Sequence, residues 1–170
     1  MRRVVLIMSM VLFCTLASTL TAQKFALIDM EYILKNIPAY EMTNEQLNQL
    51  SERWQAEIEK LQQEAQTMYK NFQSELVFLS AEMKSKREEE ILKKELAAQD
   101  LKRKYFGADG ELYKRREQLM KPIQDEIYNA LKAISAEKGY DAIFDRATTI
   151  FANPRVDISN EVLLKMGYSK

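Results

Sequence analysis

The sequence predicts a mainly α-helical protein with a small β part, in which a long antiparallel helical hairpin stands on a short-stranded β body. Three observations predict it. Apolar residues recur at helical spacing from Leu47 to Ile134, and the stretch from Thr43 to about Phe78 contains neither glycine nor proline. The 170 residues carry 25 Lys+Arg and 25 Asp+Glu but only four glycines and three prolines, the composition of long solvated helices. After the leader, short apolar runs lie at residues 24–30 and 140–152, on either side of the helical stretch.

Residues 1–22 read as a secretory signal peptide. Arg2 and Arg3 precede an apolar run from Val4 to Leu16, and Ala17, Ser18, Thr19, Thr21 and Ala22 supply small residues around a cleavage site. The run is too short for a spanning helix. Cleavage after Ala22 removes two arginines, no acid and the single cysteine, so the mature chain has two more acidic than basic side chains. A periplasmic location is expected. Without cysteine there is no disulfide or thiol chemistry, and without histidine the commonest general base and metal ligand are missing. No Gly-rich phosphate loop is present. No enzyme activity, cofactor or nucleic-acid partner is expected.

Residues 23–42 supply a body strand, Lys24–Met30, and a turn or two of helix from Glu31 to Asn36 that Pro38 ends. Residues 43–138 form the arm. Thr43, with Gln46 three residues on, reads as the capping box of its first helix. Leu47, Leu50, Trp54, Ile58, Leu61, Ala65, Tyr69, Phe72 and Leu76 follow an eleven-residue repeat, and Leu101, Leu112, Ile123 and Ile134 continue it on the return. That period is about 3.67 residues per turn and keeps a seam straight or slightly right-handed. The tip is expected at Leu79-Ser80-Ala81, with Ser80 capping a second helix that runs, continuous but softened, to about Lys138. One uninterrupted helix over 43–137 would leave its seam uncovered. Glu82–Lys86, Glu89–Lys93, Glu90–Lys94 and Glu111–Arg115 are placed to pair one turn apart.

Gly107, Gly110 and Pro122 fall inside this second helix, either as hinges or as tolerated packing adjustments. As helix-interior residues, the two glycines replaced by alanine would stabilise the helix by about 1–2 kcal/mol in total.

Residues 139–170 complete the body. Gly139 ends the helix, Tyr140–Asp145 and Ala147–Ala152 read as a β-hairpin, and Asp157 or Ser159 caps a last helix, Asn160–Met166, ended by Gly167. Three short strands and one small helix close a poor core alone, which points to oligomerisation.

KFALIDM, the charged hairpin, LMKPIQDEIYNALKAISAEKGYDAIFD and VDISNEVLLKMG together resemble the Skp (OmpH) family of periplasmic chaperones. The resemblance spans essentially the whole mature chain and includes no catalytic motif. It implies a homotrimer that completes its core by trimerisation, with arms hanging as tentacles around a cavity. There, unfolded outer-membrane β-barrel proteins would be held without ATP. Phe25, Leu27, Ile28, Ile143, Phe144, Ile150 and Phe151 are the expected trimer-body residues. Off-seam Met68, Val77, Phe78, Leu79 and Met83, with basic Lys84, Lys86 and Arg87, are candidate client contacts. The basic cluster continues through Lys93, Lys94, Lys102, Arg103 and Lys104. The family's lipopolysaccharide site has no residue-by-residue counterpart, and no lipid or lipopolysaccharide site is assigned. A structural coiled-coil spacer or adaptor is the competing reading; an aggregation assay on an unfolded β-barrel separates the two.

Overall fold

The computed structural model describes residues 23–168. The expected leader, residues 1–22, lies outside them. Strand β1 (Phe25–Ile28) pairs in parallel with β2 (Ala142–Asp145), Phe25 opposite Ala142 and Ile28 opposite Asp145. Parallel neighbours need a crossover, and here the crossover is the whole arm. The junction is closed by Lys24 N–H donating to Asp141 Oδ2 at 2.7 Å and Asp141 N–H donating to the Lys24 carbonyl at 2.8 Å.

Helix α1 (Met30–Lys35) is capped by Asp29, whose carboxylate accepts from Tyr32 N–H at 2.9 Å. Helix α2 (Pro38–Glu75) follows after Asn36 and Ile37. The expected capping box at Thr43 is not used, because α2 starts at Pro38 and Thr43 is buried within it. Proline suits a first helical position, where its missing N–H would have no partner and its φ is preset. At ~1.5 Å per residue the 38 residues of α2 span roughly 57 Å.

The tip turn occupies residues 76–79, and Ser80 caps α3 (Ala81–Phe106) by accepting from Met83 N–H at 3.2 Å. The return is not one continuous helix. It breaks at Gly107 and restarts as α4 (Glu111–Lys138), with Gly110 in the capping position. A β-carbon on Gly107 would lie 2.4 Å from the Arg103 carbonyl oxygen, and one on Gly110 2.7 Å from that of Tyr105. The glycines therefore let the chain cross its own backbone at this corner. Their presumed cost as interior helix residues, and the gain expected from alanine, do not apply. Helix α4 does run uninterrupted through Pro122. It ends at Gly139, left-handed at φ 68°, whose N–H donates to the Ser135 carbonyl.

The expected β-hairpin over 139–170 does not form. After β2 the Asp145 carboxylate accepts from Ala147 N–H, turning the chain into a 3-10 turn, Arg146–Thr148. Residues 149–153 then run without strand pairing, and β2 takes β1 as its partner. Helix α5 (Ser159–Lys165) begins one residue earlier than expected. Asp157 does act at its start, accepting from Ser159 N–H at 2.9 Å and Ser159 Oγ at 2.6 Å. Ser159 Oγ in turn accepts from Asp29 N–H at 2.8 Å, tying α5 to the cap of α1.

The core sits at the body end and is dominated by isoleucine. Ile28, Ile33, Ile37, Ile127 and Ile134 pack with Val162 and Leu163. In the arm the eleven-residue spacing fits the buried residues Ile123, Ile134 and Ala130 of α4 but not the distal half. There Ile58, Leu61, Ala65, Met68 and Phe72 of α2 are wholly or half buried at alternating steps of three and four. On α3, Lys84, Arg87, Ile91, Lys94, Ala98, Leu101 and Tyr105 do the same. That is heptad spacing, the 3.5-residue repeat of a coiled-coil seam. The Gly107–Gly110 break stands where α3's heptad spacing gives way to the longer period of α4.

Candidate functional site

The arm surface and the exposed apolar residues of the body are the candidate site. At the tip Val77 and Phe78 are 88% and 87% exposed. Both lie in the turn between the two helices. Met83 is half exposed, Leu79 half buried, and Met68 fills a seam position between the helices. Lys86 is exposed, whereas Lys84 and Arg87 occupy seam positions.

The expected one-turn pairs Glu82–Lys86, Glu89–Lys93, Glu90–Lys94 and Glu111–Arg115 do not form among the described residues. Lys94 instead crosses to Glu64 at 2.6 Å, and Arg87 crosses to Glu75 at 3.5 Å. The Lys94 hydrogen bond, then its charge, holds the Glu64 carboxyl below the usual range. Arg103 lies 3.9 Å from Asp100, and Lys104 sits over the Tyr105 ring, 5.3 Å from its centroid. Much of the basic cluster thus has partners within the arm.

The elbow beside Gly107 is closed by aromatic rings. Trp54 stacks on Tyr105 with centroids 4.5 Å apart and planes 2° from parallel, and Phe106 meets Trp54 edge-on at 6.3 Å. The Tyr105 hydroxyl donates to Glu57 at 2.9 Å. That bond, with burial, raises the phenol's pKa above its ordinary value. The sequence showed Trp54 as a seam residue but not its stack on Tyr105, since ring orientation has no sequence period.

At the body, Phe25 and Phe144 are about half exposed and touch at 5.9 Å between centroids. Ile28 is buried, and Leu27 and Ile143 are half buried. Ile150 and Phe151 are fully outward, with Phe151 84% exposed. Pro122 is exposed, and Gly107 and Gly110 form the corner already described.

The sequence reading does not place Tyr69, Leu92 and Leu96 of the distal arm on the surface, although all three are exposed. Tyr69 was assigned to the seam by the eleven-residue repeat, but heptad spacing puts Met68 there. Counting three-four steps back from Tyr105 would have left Leu92 and Leu96 outside the seam.

The molecule is a long helical arm on a small α/β body, with exposed apolar side chains along the arm, at its tip and on the body. The family model of OmpH-like outer membrane proteins matches residues 24–166, and the chain belongs to that family. Among curated relatives, the chaperone protein Skp of Yersinia enterocolitica is 23% identical over 152 residues, covering 86% of this chain and 88% of the relative. The chaperone protein Skp of Photorhabdus laumondii is 29% identical over 153 residues, covering 84% of each. Among solved structures, that of an OmpH-like outer membrane chaperone from Caulobacter crescentus superposes with a TM-score of 0.70 at 12% identity. It covers 86% of this chain and 85% of its own, a likeness of fold.

Proposed function

We propose that this protein is an ATP-independent periplasmic holdase chaperone for unfolded outer-membrane β-barrel proteins. In this reading residues 1–22 are removed on export. Residues 24–30 and 140–152 join three copies, and the three arms surround one client. The relatives named as chaperones support the general activity. The observation that carries the finer reading is the tip, where Val77 and Phe78 stand almost fully in water at the end furthest from the core. Apolar side chains so placed add nothing to folding and are available to another chain.

Self-association draws on a second feature. The far edge of β1 is bridged by Asp157, with Ile158 N–H donating to the Leu27 carbonyl at 2.8 Å, but β2 pairs with β1 alone among the described residues, and Ile150 and Phe151, a few residues after β2, are exposed. Leu27→Asp or Ile143→Asp should release monomers, because a carboxylate there would be buried without a partner. Sedimentation of the mature protein measures this, and a stable monomer for the unaltered chain would defeat the trimer.

Client release without nucleotide requires many weak, exchangeable contacts. Apolar surface supplies most of them, because Arg87 and Lys94 are already engaged with Glu75 and Glu64. Client binding should therefore weaken only modestly as salt rises, although screening acts over ~10 Å at 0.1 M. The deciding experiment uses a trimer lacking residues 62–104, with the seam rejoined by a short turn. It should assemble yet fail to keep an unfolded β-barrel protein from aggregating. Equal protection by the shortened trimer would favour the structural-spacer reading.

A further inference from the structure

One side of the arm carries a feature that neither the tip nor the basic cluster explains. Cavities run end to end there between α2 and α3. The largest, about 660 Å³, has Ala65 and Ala98 at its base. These two alanines are buried where the helices meet, so their small side chains leave the groove deep at mid-arm. A cavity of about 250 Å³ continues it toward Phe106, sharing Glu59 and Gln62. Another of about 330 Å³ continues it toward Leu92, sharing Tyr69 and Glu95. From Gln55 to Gln73 the groove follows α2 for roughly 27 Å at ~1.5 Å per residue. An extended chain rising ~3.3 Å per residue would fill it with about eight residues.

The chemistry along it is one-sided. Glu59, Glu88 and Glu95 line it, and none of them has an ion-pair partner among the described residues. Lys102 is the single cation among the lining residues. Gln62, Gln66 and Gln99 add amides, each with donors and an acceptor that match the open backbone N–H and C=O groups of an extended chain. Tyr69 and Leu92 add exposed apolar surface. The opposite flank differs, with Leu61, Met68 and Ala97 beside Lys93, Glu90 and a Lys94 already paired with Glu64.

We infer that this groove binds an extended stretch of unfolded polypeptide, about eight residues long, in which lysine or arginine alternates with apolar side chains. Cationic groups meet the carboxylates of Glu59, Glu88 and Glu95, of which Glu59 accepts only a 3.3 Å hydrogen bond from the Gln55 amide, the amides take the backbone, and apolar side chains lie on Tyr69, Leu92 and Phe106. The inference rests on reading the arm as the part that meets unfolded chains. It assigns them a site of opposite charge preference to the basic cluster.

The test uses the full mature protein and two labelled eight-residue peptides, one alternating leucine with lysine and one leucine with glutamate. Anisotropy measures binding. The emission of Trp54, the only tryptophan, reports occupancy at the Phe106 end. The lysine peptide should bind saturably and the glutamate peptide about tenfold or more weakly. Glu59→Gln with Glu95→Gln should weaken the lysine peptide by about five- to tenfold, the scale of two exposed ion pairs. Gln62→Arg with Gln66→Arg should abolish its binding. These positions are all exposed, so helix content should stay unchanged. Equal binding of both peptides, or unchanged binding by both double variants, overturns the groove. The β-barrel aggregation assay on the unaltered protein runs beside it. Failure there overturns the holdase reading, whereas protection without peptide discrimination overturns only the groove.

Discussion

The body and the distal arm are built on different terms. In the body, isoleucines from β1, α1 and α4 meet Val162 and Leu163 of α5, so each buried side chain is covered from several elements. In the distal arm a buried residue such as Ile91 or Ala98 has only one facing helix and water on both flanks. Fixing a side chain costs conformational entropy in either place, but only the body recovers it from several directions. Cooperative stability should therefore reside in the body, leaving the arm free to spend apolar residues on its surface.

A charge in each region gives the largest expected contrast. Ile127→Asp should place an unpaired carboxylate in the core at a cost of several kcal/mol, enough to unfold a marginal body. Phe78→Asp should change stability by no more than about 0.5 kcal/mol, since the side chain is already in water. In the aggregation assay the order reverses, with Phe78→Asp folded but less protective. Thermal melts by circular dichroism check the first half, and an Ile127→Asp melt matching the unaltered protein would erase the contrast between the regions.

The elbow lies between them and sharpens the comparison. Gly107→Ala or Gly110→Ala should destabilise by about 1–3 kcal/mol, the scale of overpacking, because each new β-carbon meets a carbonyl oxygen. Urea melts decide the sign. A stabilising result would mean that the return helix closes up through this segment.

The smallest effect concerns Lys94 and Glu64. The Glu64 carboxyl titrates below its unfolded value, so the pair contributes above the unfolded pKa and its contribution is lost as pH falls through the folded one. Both side chains are substantially exposed, which keeps the effect small. The difference in melting temperature between Glu64→Gln and the unaltered protein should be present at neutral pH and vanish on acidification. A difference that persists in acid would show that the substitution acts through packing.

Local rules made much of this fold legible before any coordinates. Ser80 as a cap, Gly139 as a left-handed stop and Phe25–Ile28 as a strand each depend on side chains acting within a few residues of themselves. Thr43 misled because Pro38 offered a better start five residues earlier. Ala147–Ala152 had the composition of a strand, but Asp145 turned the chain and Phe25–Ile28 supplied β2 with another partner. Of the candidate surface, Val77 and Phe78 were identified from their place near the tip, whereas Tyr69 was misplaced and Leu92 and Leu96 passed unnoticed.

By itself, then, the sequence determined that the chain would be a charged helical arm with apolar ends, because helical periodicity and the scarcity of glycine and proline are properties of the chain alone. Tertiary structure decided which period each part of the arm would follow. A seam is chosen jointly by two facing helices: Met68 takes the seam position between the buried Ala65 and Phe72, and Tyr69 is left exposed. It also decided that Gly107 and Gly110 would break the return helix. Whether a glycine is a costly helical residue or a necessary corner depends on which backbone atoms lie opposite it, and those are set by packing rather than by composition.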